Sequence, residues 1–83
     1  GTLEIYGNGE INDFTASPFG NYTNEISTIL IEEGITRIGN NLFNGITKVK
    51  EMYIPKSVVK IGDHSFDNMN NEFNVIILGL EEM

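Results

Sequence analysis

Cysteine is absent from the 83-residue sequence, which rules out disulfide bracing. A chain this short buries only about 60% of its unfolded surface, and small secreted domains commonly offset that thin core with disulfides. Without them the redox compartment stays open. Basic residues are also scarce: five lysines and arginines stand against twelve acidic residues, for a net charge of −7. Arg37, Lys48, Lys50, Lys56 and Lys60 are separated by apolar and acidic neighbours. A duplex-binding surface needs clustered positive charge, so nucleic acid is not an expected partner. Long apolar runs are missing too. VIILGL, residues 75–80, is the longest nearly apolar stretch and falls far short of the roughly 18 residues of a membrane span. No membrane insertion is expected. The chain also opens without the basic, apolar and small-residue order of a signal peptide. Gly1 reads as a remnant of cleavage, and a start without Met fits a piece of a longer precursor, whose location the opening does not reveal.

The first residues, TLEIYGNGEINDF, alternate Leu3 and Ile5 with Glu4 and Tyr6, the period of a half-buried strand. Asn8-Gly9 then separates this run from a second one containing Ile11. Asn-Gly favours a turn whose central residues need positive φ, so the segment predicts a β-hairpin. A phosphate-cradling role for the GNG triplet fails because the third glycine and following helix of a dinucleotide fingerprint are missing. Residues 13–25 are rich in turn formers and punctuated by Phe14, Phe19 and Tyr22, as expected of a loop that folds its aromatics onto the next segment. Asn21-Tyr22-Thr23 is a formal glycosylation triplet, but such triplets arise often by chance and a bare loop is the better reading.

From residue 26 the chain repeats itself. Ile29, Leu30 and Ile31 return as Met52, Tyr53 and Ile54, then as Val75, Ile76 and Ile77, with a spacing of 23 each time. Ile38, Gly39 and Phe43 return as Ile61, Gly62 and Phe66 at the same interval of 23. A fixed period in this range marks a solenoid, whose coils cannot bury their apolar faces alone and supply each other with a core. The coil is too short for the helix pairs of ankyrin or tetratricopeptide repeats, which need about 33 or 34 residues. Each triplet predicts a strand, and NNLFNGIT and DHSFDNMN predict a turn followed by a short helical or irregular return. Ile38, Phe43 and Ile46 should fill one layer, and Ile61, Phe66 and Met69 the next. Gly39 and Gly62 fall where a sharp bend is needed. The third coil drifts: Glu72 replaces an expected apolar residue beside Phe73, which predicts a one-residue adjustment.

The phrase YIPKSVVKIGDHSFDNM resembles the BspA-like leucine-rich repeat, with Ile54, Pro55, Val58, Ile61, Gly62, Phe66 and Met69 at its characteristic positions. The preceding coil departs at Glu32, where that family usually has Pro, and at Leu42, where it usually has Ala. Ile46 and Met69 stand where it favours Cys. The opening TLEIYGNGEINDF is similar to the hairpin that caps many such arrays. The resemblance implies an α/β solenoid, mostly β: a short right-handed leucine-rich-repeat coil with parallel strands and an N-terminal β-hairpin cap. It implies residues 1–25 as cap and loop, and residues 26–83 as about two and a half coils that continue or are capped elsewhere. It further implies a secreted or cell-surface protein of bacterial type that binds other proteins or adheres to host surfaces.

Residues able to do chemistry are few. Asp63, His64 and Ser65 are the residue types of a catalytic triad, but three consecutive side chains in a bend do not converge. His64 lacks the second His or the Cys that would complete a zinc site. Asp63, Asp67 and the asparagines that follow lack the regular spacing of a calcium loop. Glu32-Glu33 and Glu81-Glu82 are adjacent in sequence and do not face each other across a substrate. No enzyme, metal or cofactor is expected. The expected site is a surface. If the outer residues of each strand triplet point inward, the middle ones, Leu30, Tyr53 and Ile76, form an outward apolar ladder that Tyr6 extends or flanks. Exposed contiguous apolar surface marks association, and Tyr is favoured at hot spots. The expected partner is therefore a protein bound at Leu30, Tyr53, Ile76 and Tyr6. The alternatives are a structural spacer and a carbohydrate-binding module built on Tyr6, Tyr22 and Tyr53. The β-prone, uncharged run FNVIILGL at residues 73–80 and the ladder itself are the two places where self-association would occur.

Overall fold

The computed structural model describes residues 1–70 and 72–78. Seven strands follow one another as β1 (Thr2–Ile5), β2 (Gly9–Glu10), β3 (Thr28–Ile31), β4 (Ile35–Ile38), β5 (Glu51–Pro55), β6 (Lys60–Ile61) and β7 (Asn74–Leu78). They form two sheets: a four-stranded one in the order β1-β3-β5-β7 and a three-stranded one in the order β2-β4-β6. Every pairing is parallel. The chain thus runs along the first sheet, turns a corner, crosses the second sheet and returns through turns to begin the next coil. It is a short β-solenoid of about three turns with little helix, limited among the described residues to one 3₁₀ turn at Gly20–Tyr22.

The β-branched and aliphatic strand triplets suit a pleated surface buried on one side. Ile29, Ile31, Met52 and Ile54 face inward and are buried, as their parity requires, whereas Val75 and Ile77, expected inward by the same parity, are 48% and 49% exposed on β7, the last described strand. Ile38, Phe43, Ile46 and Val49 complete the central layer with no exposed surface. The layer above is more open. Met69 is buried, but Ile61 is 49% exposed and Phe66 only half-buried, because they border the last described coil. Phe19, Phe43 and Phe66 stack along the axis with ring centroids 6.3 and 6.1 Å apart, and Phe73 meets Phe66 edge-on. The loop aromatics therefore do fold onto the core, except Tyr22, which is 55% exposed.

The N-terminal hairpin is not formed. β1 lies parallel to β3 in the first sheet, and β2 lies parallel to β4 in the second, so the opening segment is itself a coil. Gly7 and Gly9 have φ of 137° and 98°, so of the Asn8-Gly9 pair only Gly9 takes the positive value that the expected turn needs at both positions. They serve a corner between two sheets and not a reversal. Pairing with β3 buries Leu3 and Ile5 against the core in a way that a two-stranded ribbon could not.

Gly39 and Gly62 also have a different reason from the one expected. Neither has positive φ. A Cβ on Gly39 would strike the backbone carbonyls of Ile11 and Asn12, and one on Gly62 would lie 2.6 Å from the Asn40 amide nitrogen. The neighbouring coil passes too close for a side chain. The third strand needs no register adjustment, since Glu51 pairs Asn74 and Met52 pairs Val75 at the usual interval. Phe73 supplies the apolar contact that Glu72 does not. The expected repeat region also includes residues 71 and 79–83, which lie outside the described residues.

Candidate functional site

Register decides which side chains share the outward face of the first sheet. Leu30 pairs with Tyr53, and Tyr53 with Ile76, so the three stand in one row across adjacent strands. Strand spacing of about 4.8 Å brings such neighbours into side-chain contact. All three are half-buried. Tyr6 is not in this row. It follows β1, has no strand partner and is 77% exposed. The residue that heads the row is Glu4, paired with Leu30.

Two further carboxylates frame the row. Glu51 lies two residues before Tyr53 on the same face, and its Oε1 accepts a hydrogen bond from the Tyr53 hydroxyl at 3.1 Å. That bond, with the nearby negative charge, pushes the phenol's pKa up. For Glu32, just past β3, the neighbouring Glu4 carboxyl and then burial push the carboxyl's pKa above its ordinary value. Sequence parity alone put Leu30, Tyr53 and Ile76 on one face. The acidic frame was missed because a hairpin reading takes Glu4 out of the sheet.

The other chemistry-bearing residues serve the coil. Ser65 is buried, and its Oγ donates between the carbonyls of Gly39 and Gly62, 2.8 Å from each. His64 turns away to Asp67, with Nδ1 2.7 Å from Oδ2. Asp63, His64 and Ser65 are therefore not assembled into a relay. Along the return side, the Asn41 amide donates to the Phe14 carbonyl, Asn44 to Asn41 and Asn68 to Asn44. Asn40 accepts from the Asp63 amide at 2.7 Å, and Asp13 from the Asn40 amide at 2.8 Å. This amide ladder stitches successive coils together. Asp13 also meets Arg37 at 2.9 Å, and the Asn40 amide and the guanidinium together hold its carboxyl below the usual range. Tyr22 lies in the 3₁₀ turn and not on a strand; with Leu3, Phe19 and Ile26 it lines an apolar recess of about 400 Å³ at the first coil. The three tyrosines accordingly do not share one plane of sheet positions.

The family model for the BspA type leucine rich repeat region matches residues 4–80. Among solved structures, the chain is similar to a leucine-rich repeat protein from Eubacterium ventriosum, with 27% identity and a TM-score of 0.86. The match covers 94% of this chain and 22% of that one, so the chain spans about a fifth of its longer relative. No curated protein sequence matches it.

Proposed function

Because the chain belongs to the BspA-type leucine-rich repeat family, whose repeats are generally non-catalytic binding modules, we propose that it is a protein-recognition module acting through the outward face of its four-stranded sheet. Such repeats are typically carried by surface-associated proteins, and the chain is placed here on a secreted or cell-surface protein of bacterial type. The observation that carries the reading is the row Leu30–Tyr53–Ile76, in which three large apolar groups stand side by side on a face that the coil's own core does not use. A rigid parallel sheet holds them in fixed positions, so little conformational entropy is lost on contact.

The spacer reading is favoured by one fact, that the chain corresponds to only 22% of its longer relative, where other coils could do the binding. The two readings part under selection. Random peptides displayed on phage and selected on the protein should yield binders whose affinity falls at least about tenfold with Leu30→Ser or Tyr53→Ala, while thermal unfolding stays cooperative. Binders indifferent to both substitutions, or no binders at all, would leave the spacer reading in place.

A further inference from the structure

The charge on this face is distributed in a way that selects a class of partner. β1, β3, β5 and β7 contain no lysine or arginine. Lys50 and Lys56 bracket β5 at its two margins, in the parity opposite to Glu51 and Tyr53. Of the other described lysines and arginines, Lys48 lies exposed in the turn before β5, Arg37 and Lys60 are paired in the second sheet, and Arg37 is engaged by Asp13. By contrast Glu4, Glu32 and Glu51 surround Leu30 and Tyr53, and none makes an ion pair among the described residues. We infer that the outward sheet face takes an extended cationic protein segment in which arginine or lysine stands two residues from an apolar side chain, so that both point to the same side, the apolar group seating on Leu30 and Tyr53 and the cations on Glu4, Glu32 and Glu51.

This rests on the recognition reading above and narrows it. An apolar pair ringed by uncompensated carboxylates repels anionic segments and leaves neutral ones without polar partners, whereas a basic segment satisfies both parts of the surface. An extended segment also fits the geometry, because side chains two residues apart along a strand match the spacing of alternate positions on the sheet.

The test uses three short fluorescent peptides of equal length: one repeating Arg-Ser-Leu-Ser, so that arginine and leucine share one side of the extended chain, one with citrulline in place of arginine, and one with glutamate in its place. Fluorescence anisotropy at low and high salt should show the arginine peptide binding about tenfold or more tighter than the citrulline one, and the glutamate peptide not binding. Raising the salt should remove most of the difference. Combined Glu4→Gln, Glu32→Gln and Glu51→Gln should abolish the preference with the circular dichroism spectrum unchanged. Combined Glu10→Gln and Asp63→Asn, which neutralise acids of the second sheet and of the return turn, should leave it intact. Equal binding of arginine and citrulline peptides overturns the inference, as does a loss just as large in the Glu10/Asp63 variant, which would reveal diffuse attraction only. If selected neutral or acidic peptides bind and lose affinity with Tyr53→Ala, the inference fails and the recognition face stands. If the arginine peptide binds and neither Tyr53→Ala nor Leu30→Ser weakens it, both readings fail.

Discussion

Replacing Phe43 with alanine tests how the coils hold together. Phe43 has no exposed surface and lies between Phe19 and Phe66, its ring 6.3 and 6.1 Å from theirs. Truncating a fully buried Phe costs about 3–5 kcal/mol through lost transfer energy and the cavity left behind. Here the vacancy would open between two rings that the rest of the coil keeps apart, so collapse is limited and a loss of about 4 kcal/mol is expected. At roughly 0.05–0.15 kcal/mol per residue, an 83-residue domain has about 4–12 kcal/mol in total. Phe43→Ala therefore removes between a third and all of the stability. Urea unfolding followed by circular dichroism, with a slope near 1 kcal/mol per molar for a chain this small, should show the midpoint falling by several molar or the transition vanishing. Phe66→Ala provides the comparison. Phe66 is only half-buried and should cost about half as much by the area argument. A Phe66→Ala loss equal to or larger than that of Phe43→Ala would refute a core centred on the second coil.

Two other perturbations probe the contacts between coils. Gly62→Ala places a methyl group 2.6 Å from the Asn40 nitrogen and 2.8 Å from the Gly39 carbonyl carbon, so the coils must part and the melting temperature should drop by about 10 °C; a fall of less than about 2 °C would contradict so close an approach. His64 titrates above its ordinary range because Asp67 accepts its hydrogen bond and adds a favourable charge. Its folded-state pKa is raised, so this small surface contribution is full below the unfolded pKa near 6.5 and fades as pH rises through the higher folded value. Asp67→Asn should remove that dependence and lower the His64 titration midpoint read by NMR; an unchanged midpoint would mean that the pair does not form in solution.

Much of the architecture was legible because a solenoid writes its geometry into its period. The constant interval from Ile29 to Met52 to Val75 is the interval of the strand register itself, and strand parity placed Leu30, Tyr53 and Ile76 outward. The first coil was hidden for a physical reason. Leu3 pairs with Ile29 at an interval of 26 residues, whereas Ile29 pairs with Met52 at 23, since the loop with the 3₁₀ turn at Gly20–Tyr22 lengthens that coil. Phe19, the counterpart of Phe43 in the aromatic stack, was therefore out of phase. Asn8-Gly9 reports a need for positive φ, which a hairpin and a corner share. Only the availability of β3 as a partner distinguishes them, and that is a long-range property. The reason for Gly39 and Gly62 was equally remote, because it lies in the backbone of the preceding coil. The Glu4–Glu32 pair depends on the same long-range pairing.

The most direct test of the recognition face is amide chemical-shift mapping with the tightest peptide from selection on the intact protein. Recognition by the sheet predicts the largest changes at Leu30, Tyr53, Ile76 and the adjoining Glu4, Glu32 and Glu51, with the second sheet from Arg37 to Lys60 little affected. Changes concentrated on the second sheet, on the Asn40–Asn44 turn or around Tyr22 would place binding elsewhere and contradict it.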